Sequence, residues 1–281
     1  MERLIPEGME PAAAMEKLLP QLIQTRSGFR TGSPAHSQEG KMPAQPECAD
    51  CGGTGLRNVP NGHGGLYAIA CACAIRDRIN RQLNKIAPRD RWARIDLLAV
   101  CDDPTKCFSP PDLQRQIIDG FRANPDGSFA FFGPSGYGKT TYLAALWHRA
   151  VTESKGQGCF YQQTHDLIRE MRSYEFDKDE TPRICRQVIR ETVARRLRPR
   201  VFLDEFDKVT VTDFARNSIH ELVDELYQLA AGTPHGVQFV LATNLDRDEF
   251  MNTWGANILR RVEAICETVF DFFPEIAMVE R

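Results

Sequence analysis

The sequence predicts an α/β fold in which a parallel sheet is flanked by helices. Three observations carry that prediction. From Leu113 onward, short apolar runs alternate with longer amphipathic stretches, the order that gives parallel strands joined by helical crossovers. One of those runs, Phe129 to Phe132, leads into Gly133-Pro134-Ser135-Gly136-Tyr137-Gly138-Lys139-Thr140, a G-x-x-x-x-G-K-T string. Another, Val201-Phe202-Leu203, ends in the carboxylates Asp204 and Glu205. They emerge at the strand edge where such sheets place ligands.

The expected strands are 129–132, 158–162, 200–203, 237–242 and 268–273, and the helices between them 112–123, 139–154, 164–174, 182–197 and 214–231. With 281 residues there is room for one good-sized domain and a smaller module. Three regions are expected: an N-terminal segment at 1–47, a cysteine module with its following helix at 48–87, and the main domain at 88–281. In the first, Met15, Leu18, Leu19, Leu22 and Ile23 share one helical face, which Pro20 interrupts. Ser27 to Pro46 is rich in Gly, Ser, Pro and Gln and reads as a flexible linker. A helix rich in Arg and Asn is expected over Ala74–Ile86, followed by a lead-in of turns at 88–111.

No apolar run approaches the ~20 residues of a membrane span. Met1-Glu-Arg-Leu-Ile-Pro lacks the basic-then-apolar order of a secretory signal, so the chain is expected in the cytoplasm, away from membranes. There, nine cysteines point to metal binding rather than disulfides. The formal charge of −3 does not advertise nucleic-acid binding but leaves room for a local basic patch.

The Gly-rich loop is built to hold phosphate. Gly133, Gly136 and Gly138 let the backbone curl so that successive N–H groups face one anion. The helix beginning at Lys139 adds its unsatisfied donors and dipole. Lys139 is expected at the β- and γ-phosphates of ATP and the Thr140 hydroxyl at Mg²⁺, with Thr141 completing the loop's contacts. Asp204 is expected to anchor the Mg²⁺ and Glu205 to activate the attacking water. Phe239-Val-Leu-Ala-Thr243-Asn244 is a third strand of this kind, and its terminal Asn244 could reach the γ-phosphate or the water. Arg260 and Arg261 lie on a later predicted helix, with Arg261 expected to reach a neighbouring copy's γ-phosphate.

That order of motifs resembles the AAA+ ATPases, and among them the helicase-loader clade of DnaC and DnaI with the related IstB transposition helpers. The resemblance covers about residues 88–281. Beyond the loop it includes Gly158-Cys-Phe-Tyr-Gln-Gln-Thr-His-Asp-Leu-Ile-Arg-Glu-Met, Asp213-Phe-Ala-Arg-Asn-Ser-Ile-His-Glu-Leu-Val-Asp-Glu-Leu, and Gly255 to Val262. It places Arg261 at the arginine-finger position. Where loaders often carry Asp-Asp-Leu-Gly, this chain has Asp204-Glu-Phe-Asp-Lys208. The short stretch after Arg261 is too brief for the helical lid of most AAA+ proteins, as in the loader group.

Cys48-Ala-Asp-Cys51-Gly-Gly-Thr-Gly55 and Cys71-Ala-Cys73 read as a four-thiolate zinc site, with His63 an alternative ligand. The first string also resembles one repeat of the J-type co-chaperones, taken here as convergence on a knuckle. Some DnaI-type loaders carry an N-terminal zinc module, which favours a loader over an IstB-like helper. Seven arginines at 183, 186, 190, 195, 196, 198 and 200 are candidate contacts to single-stranded DNA, with Tyr174 or Phe176 stacking on bases. The resemblance implies an ATP-dependent loader that self-associates through its ATP site and partners a replicative DNA helicase and single-stranded DNA. A transposase partner on duplex DNA and a non-hydrolysing adaptor are the alternatives.

Overall fold

A computed structural model describes residues 48–62, 65–101, 109–176, 185–232 and 236–272. The expected N-terminal helix and linker, His63, Cys107, Arg183 and the side chains of Tyr174 and Phe176 lie outside what is described.

In chain order, an antiparallel hairpin of β1 (Leu56–Pro60) and β2 (Leu66–Ala70) precedes α1 (Ala72–Leu83). Two 3₁₀ turns, Pro88–Asp90 and Ile95–Leu97, then lead to α2 (Pro111–Ala123). The α/β alternation follows: β3 (Phe129–Phe132), α3 (Lys139–Glu153), β4 (Cys159–Gln163), α4 (Thr164–Phe176), α5 (Cys185–Ala194) and β5 (Arg200–Asp204). After these come α6 (Asp213–Gly232), β6 (Gln238–Thr243), α7 (Arg247–Trp254), α8 (Ala256–Ile265) and β7 (Thr268–Asp271). Five strands form one parallel sheet in the order β4-β5-β6-β3-β7. Among the described residues no helical lid follows β7, and no helix is long and apolar enough to cross a membrane.

The sheet is covered on both faces, which is why its central strands are unbroken apolar runs rather than alternating ones. Phe129 and Phe131 point into a cluster with Leu143 and Trp147 of α3, while Ala130 and Phe132 point into another with Leu222 and Leu226 of α6. Helix α3 lies between the sheet and α1, so Tyr142, Leu146, Trp147 and Val151 are all buried. The Trp147 indole N–H donates to the Gln82 carbonyl at 3.1 Å. Truncating such a side chain costs about 3–5 kcal/mol.

Helix α1 begins directly after Cys71 rather than at Ala74, and its Ile79 and Leu83, with Ile86 beyond it, share the Trp147 cluster. The cysteine-bearing segment and the main domain therefore have a continuous core across residues 87 and 88. The hairpin between the two cysteine pairs, and α7, are additions to the expected elements. Helix α7 starts at a capping box in which Asp246 and Glu249 satisfy each other's backbone N–H.

Candidate active site

Strands β3, β5 and β6 are neighbours in the sheet, so the loop after β3 and the carboxyl ends of β5 and β6 meet at one edge. They enclose a cavity of about 330 Å³ lined by Ser135, Gly136, Gly138, Lys139, Thr140, Asp204, Glu205 and Asn244, among others. Gly136 and Gly138 have φ of 92° and 85°, the left-handed backbone the curl requires. Gly133 is constrained further, because a Cβ there would stand 2.5 Å from Cβ of Phe272. The chain after β7 thus presses on the loop, with the Phe272 N–H donating to the Phe132 carbonyl at 2.7 Å.

Lys139 is buried at the first turn of α3. Its ammonium donates to the carbonyls of Gly133 and Pro134 at 2.5 and 2.7 Å and to Oδ1 of Asn244 at 2.9 Å. Burial pushes it down to about 8, against the pull of Asp207 and Asp204 in the other direction. Asn244 is itself gripped by Asp207, a residue the sequence reading passed over. One Asp207 oxygen accepts from the Asn244 backbone N–H at 2.8 Å and the other from its side-chain amide at 2.9 Å.

Asp204 is buried, and burial raises its carboxyl above the usual range, while three donors offset this. They are the Glu205 N–H at 2.9 Å, the Thr140 hydroxyl at 3.5 Å and the Tyr161 hydroxyl at 3.3 Å. Thr140 and Asp204 thereby set two hard oxygens side by side, the donor set that suits Mg²⁺. Glu205 follows with φ of +53°, a left-handed conformation that costs a non-glycine residue about 1–2 kcal/mol. Its carboxylate accepts from Lys208 at 2.5 Å.

Two further expected residues make contacts elsewhere within the chain. The Thr141 hydroxyl borders the cavity but donates to the buried Asp90 at 2.9 Å, tying α3 to the 3₁₀ turn that also brings Arg89 to the rim. Arg261 does not line the cavity. It faces α6 of its own chain, 3.0 Å from Asp224 and 2.7 Å from the His220 ring, whereas Arg260 is exposed. The expected basic helix is also partly neutralised within the chain. Arg186 pairs with Glu221 and Glu225, and the exposed Arg190 with Glu225, while among the described residues Arg195 and Arg196 are exposed and outside these pairs.

At the other end of the described chain, the Sγ atoms of Cys48, Cys51, Cys71 and Cys73 all lie within 4.8 Å of one another. Cys48 and Cys71 are 3.7 Å apart, and Cys51 and Cys73 are 3.4 Å apart. Four thiolates at ~2.3 Å from a central zinc stand about 3.8 Å apart, so the spacing is that of a metal tetrahedron. The turn that makes it possible runs through Gly52 and Gly53, both with positive φ, and the Cys71 N–H is fixed to the Gly55 carbonyl at 2.8 Å.

Residues 129–267 match the model of a family described as ATPase family associated with various cellular activities (AAA). No curated protein sequence matches the chain. Among solved structures, the DnaC helicase loader is similar at 19% identity and a TM-score of 0.48, over 66% of this chain and 100% of that one. DnaI is similar at 14% identity and a TM-score of 0.45, over 66% and 95%. Domain III of the Thermotoga maritima replication initiation protein DnaA is similar at 12% identity and a TM-score of 0.46, over 67% and 69%.

Proposed function

Because residues 129–267 of this chain belong to the AAA family of ATPases, we propose that the protein binds ATP with Mg²⁺ and hydrolyses it. The observation that carries this reading is the convergence of Lys139, Thr140, Asp204, Glu205 and Asn244 on one cavity. The loop N–H groups and Lys139 hold the phosphates, for which the ammonium leaves the Gly133 and Pro134 carbonyls. Thr140 and Asp204 hold Mg²⁺, which supplies charge neutralisation at the phosphate oxygens. Glu205, released from Lys208, accepts the proton of the attacking water, and the Asn244 side chain orients that water.

We further infer a replicative-helicase loader. Support comes from the motif order shared with that clade and from the four-cysteine cluster ahead of the ATPase domain. In this reading the zinc module grips the helicase. Copies associate through the ATP site, with Arg261 leaving Asp224 and His220 to meet the next copy's γ-phosphate. Arg195 and Arg196 are the α5-side cations left for single-stranded DNA. The test is co-precipitation of the full chain with the host's replicative helicase, with and without ATP. Capture of a transposase instead would move the protein to the transposition helpers.

A further inference from the structure

Strand β4 is an edge of the sheet: β5 pairs with it on one side and, among the described residues, no strand on the other. The Gly158 carbonyl accepts from the Arg200 N–H at 2.8 Å. Strand alternation therefore turns the N–H and C=O of Cys159, Tyr161 and Gln163 away from β5. That open edge is the floor of a cavity of about 1290 Å³, which every residue from Gly156 to Gln163 lines. Side chains of consecutive strand residues point to opposite faces, so an unbroken run in one lining means that main chain itself borders the cavity. One wall is α1 with Arg78 and Arg81, and Lys85 just beyond it, spaced to share a helical face. The opposite wall is α5 with Val188 and Thr192.

Two atoms of the α1 wall are buried with no hydrogen-bond partner among the described residues. One is a donor, Nη1 of Arg78, and the other an acceptor, Oε1 of Gln82. The Arg78 stem is held in place by Gly156, where a Cβ would stand 2.9 Å from its Cγ. Buried orphans of both kinds, one turn apart, call for a ligand that both accepts and donates.

We propose that this groove takes an extended acidic peptide of a partner protein, which adds to β4 as a sixth strand. An open strand edge presents donors and acceptors in alternation, and a peptide backbone satisfies both. The phosphates of a nucleic-acid strand would satisfy the donors and face the carbonyls of Cys159 and Tyr161 without a proton to share. Charge fixes the rest. The α1 wall is cationic, whereas the lining carboxylates Asp166, Glu170 and Glu191 lie away from it, Asp166 paired with Arg169 and Glu191 keeping its charge beside the neutral amide of Gln187. Cys159 and Tyr161 share the cluster of α1, and Phe160 that of α5. Acidic residues of the peptide therefore face α1, and alternate residues, facing Val188 and Thr192, are uncharged and β-branched. Lys85 stands 5.7 Å from the centre of the Phe160 ring, a cation that deters unselective strand pairing while favouring an acidic one. The cavity continues to Thr140, Asp204 and Glu205, so an occupant would also bear on ATP turnover. That coupling rests on the ATPase reading, whereas peptide binding does not.

The probe is a fluorescein-labelled decapeptide of alternating Glu and Thr, titrated into the full chain by anisotropy. Two further peptides carry N-methyl groups on all Glu or on all Thr positions. In an added strand only one parity donates to β4, so one of them should lose roughly tenfold or more in affinity while the other retains it. The double substitution Arg78→Ala, Arg81→Ala should weaken the unmodified peptide by a similar factor. Hydrogen exchange should show the Tyr161 and Gln163 amides fast in the free chain and protected with peptide. Three results would overturn the proposal: equal binding of all three peptides, or none at millimolar peptide; those amides already protected in the free chain, which would mean that another segment of this chain fills the groove; or equal protection by a thymidine decanucleotide.

Discussion

Asp207 holds Asn244 at two points, backbone N–H and side-chain amide, and so turns its Oδ1 onto the Lys139 ammonium. The residue that would orient the attacking water and the one that would bind the phosphates are thus set by a single carboxylate on the β5 side.

Asp207→Asn keeps an acceptor for the backbone N–H but opposes one amide donor to another at the Asn244 side chain, which favours flipping it. Losing that orientation should cost about 1–2 kcal/mol in the transition state, or roughly five- to thirtyfold in kcat. KM for ATP should change much less. The measurement is steady-state ATPase kinetics. A large rise in KM with kcat preserved would mean that Asp207 serves binding and not positioning.

Lys139 makes ATP affinity depend on pH. Below pH about 8 its ammonium is already charged in the ligand-free protein, and affinity should be flat. Above that, binding must restore a proton, because phosphates favour the charged form. Affinity should then fall, approaching about tenfold per pH unit until the lysine's value in the complex is passed. Stability of the free protein moves the opposite way. A lysine depressed from 10.5 to about 8 sheds its proton in the folded chain before the unfolded one, so the burial cost is relieved as pH rises through that window. Calorimetry of ATP binding across the window checks this, and a flat affinity would contradict it.

Zinc should co-purify at about one per chain. Cys71 caps α1 and Cys73 sits in its first turn, so Cys48→Ser, Cys51→Ser should loosen the hairpin and the start of α1. Ile79, Leu83 and the Trp147 contact should persist, leaving ATP binding intact. Metal analysis, limited proteolysis and ATP titration together test this. Loss of ATP binding along with the metal would show that the α1 start supports the phosphate loop.

Arg261→Ala should bind ATP normally and lose hydrolysis if the side chain acts on a neighbour. Mixing it with Glu205→Gln should partly restore turnover, since some interfaces then pair an intact Glu205 with an intact Arg261. Arg260→Ala should be near wild type. If Arg261→Ala lowers only the melting temperature, its role is the α6 contact with Asp224 and His220.

The sheet was legible because β3, β5 and β6 are buried on both faces, so each reads as a short apolar run. Every overlapping strand start is within one residue of its expected place, as with Cys159–Gln163 for 158–162. The phosphate loop and the Asp204-Glu205 pair are local in sequence and were read whole. Relations between distant segments left no such trace. Asp207 meets Asn244 only because β5 and β6 are adjacent, and Arg261 meets Asp224 only because α8 packs on α6. Helix α7 did carry a signal, Asp246 three residues before Glu249, that went unread. Of the arginines expected around α5, Arg186 and Arg190 are paired by α6, while the row on α1 borders a cavity.

The most direct measurement is ATP binding and hydrolysis by Glu205→Gln beside the unaltered chain. The variant keeps the shape of the side chain and its place after β5 but cannot take a proton. With Mg²⁺ it should bind ATP as tightly as the parent and turn it over at a few per cent of the parent rate or less. Turnover by Glu205→Gln at the parent rate would contradict the assignment of the base. A parent chain that binds ATP with Mg²⁺ and does not hydrolyse it in any assembly would contradict the account as a whole.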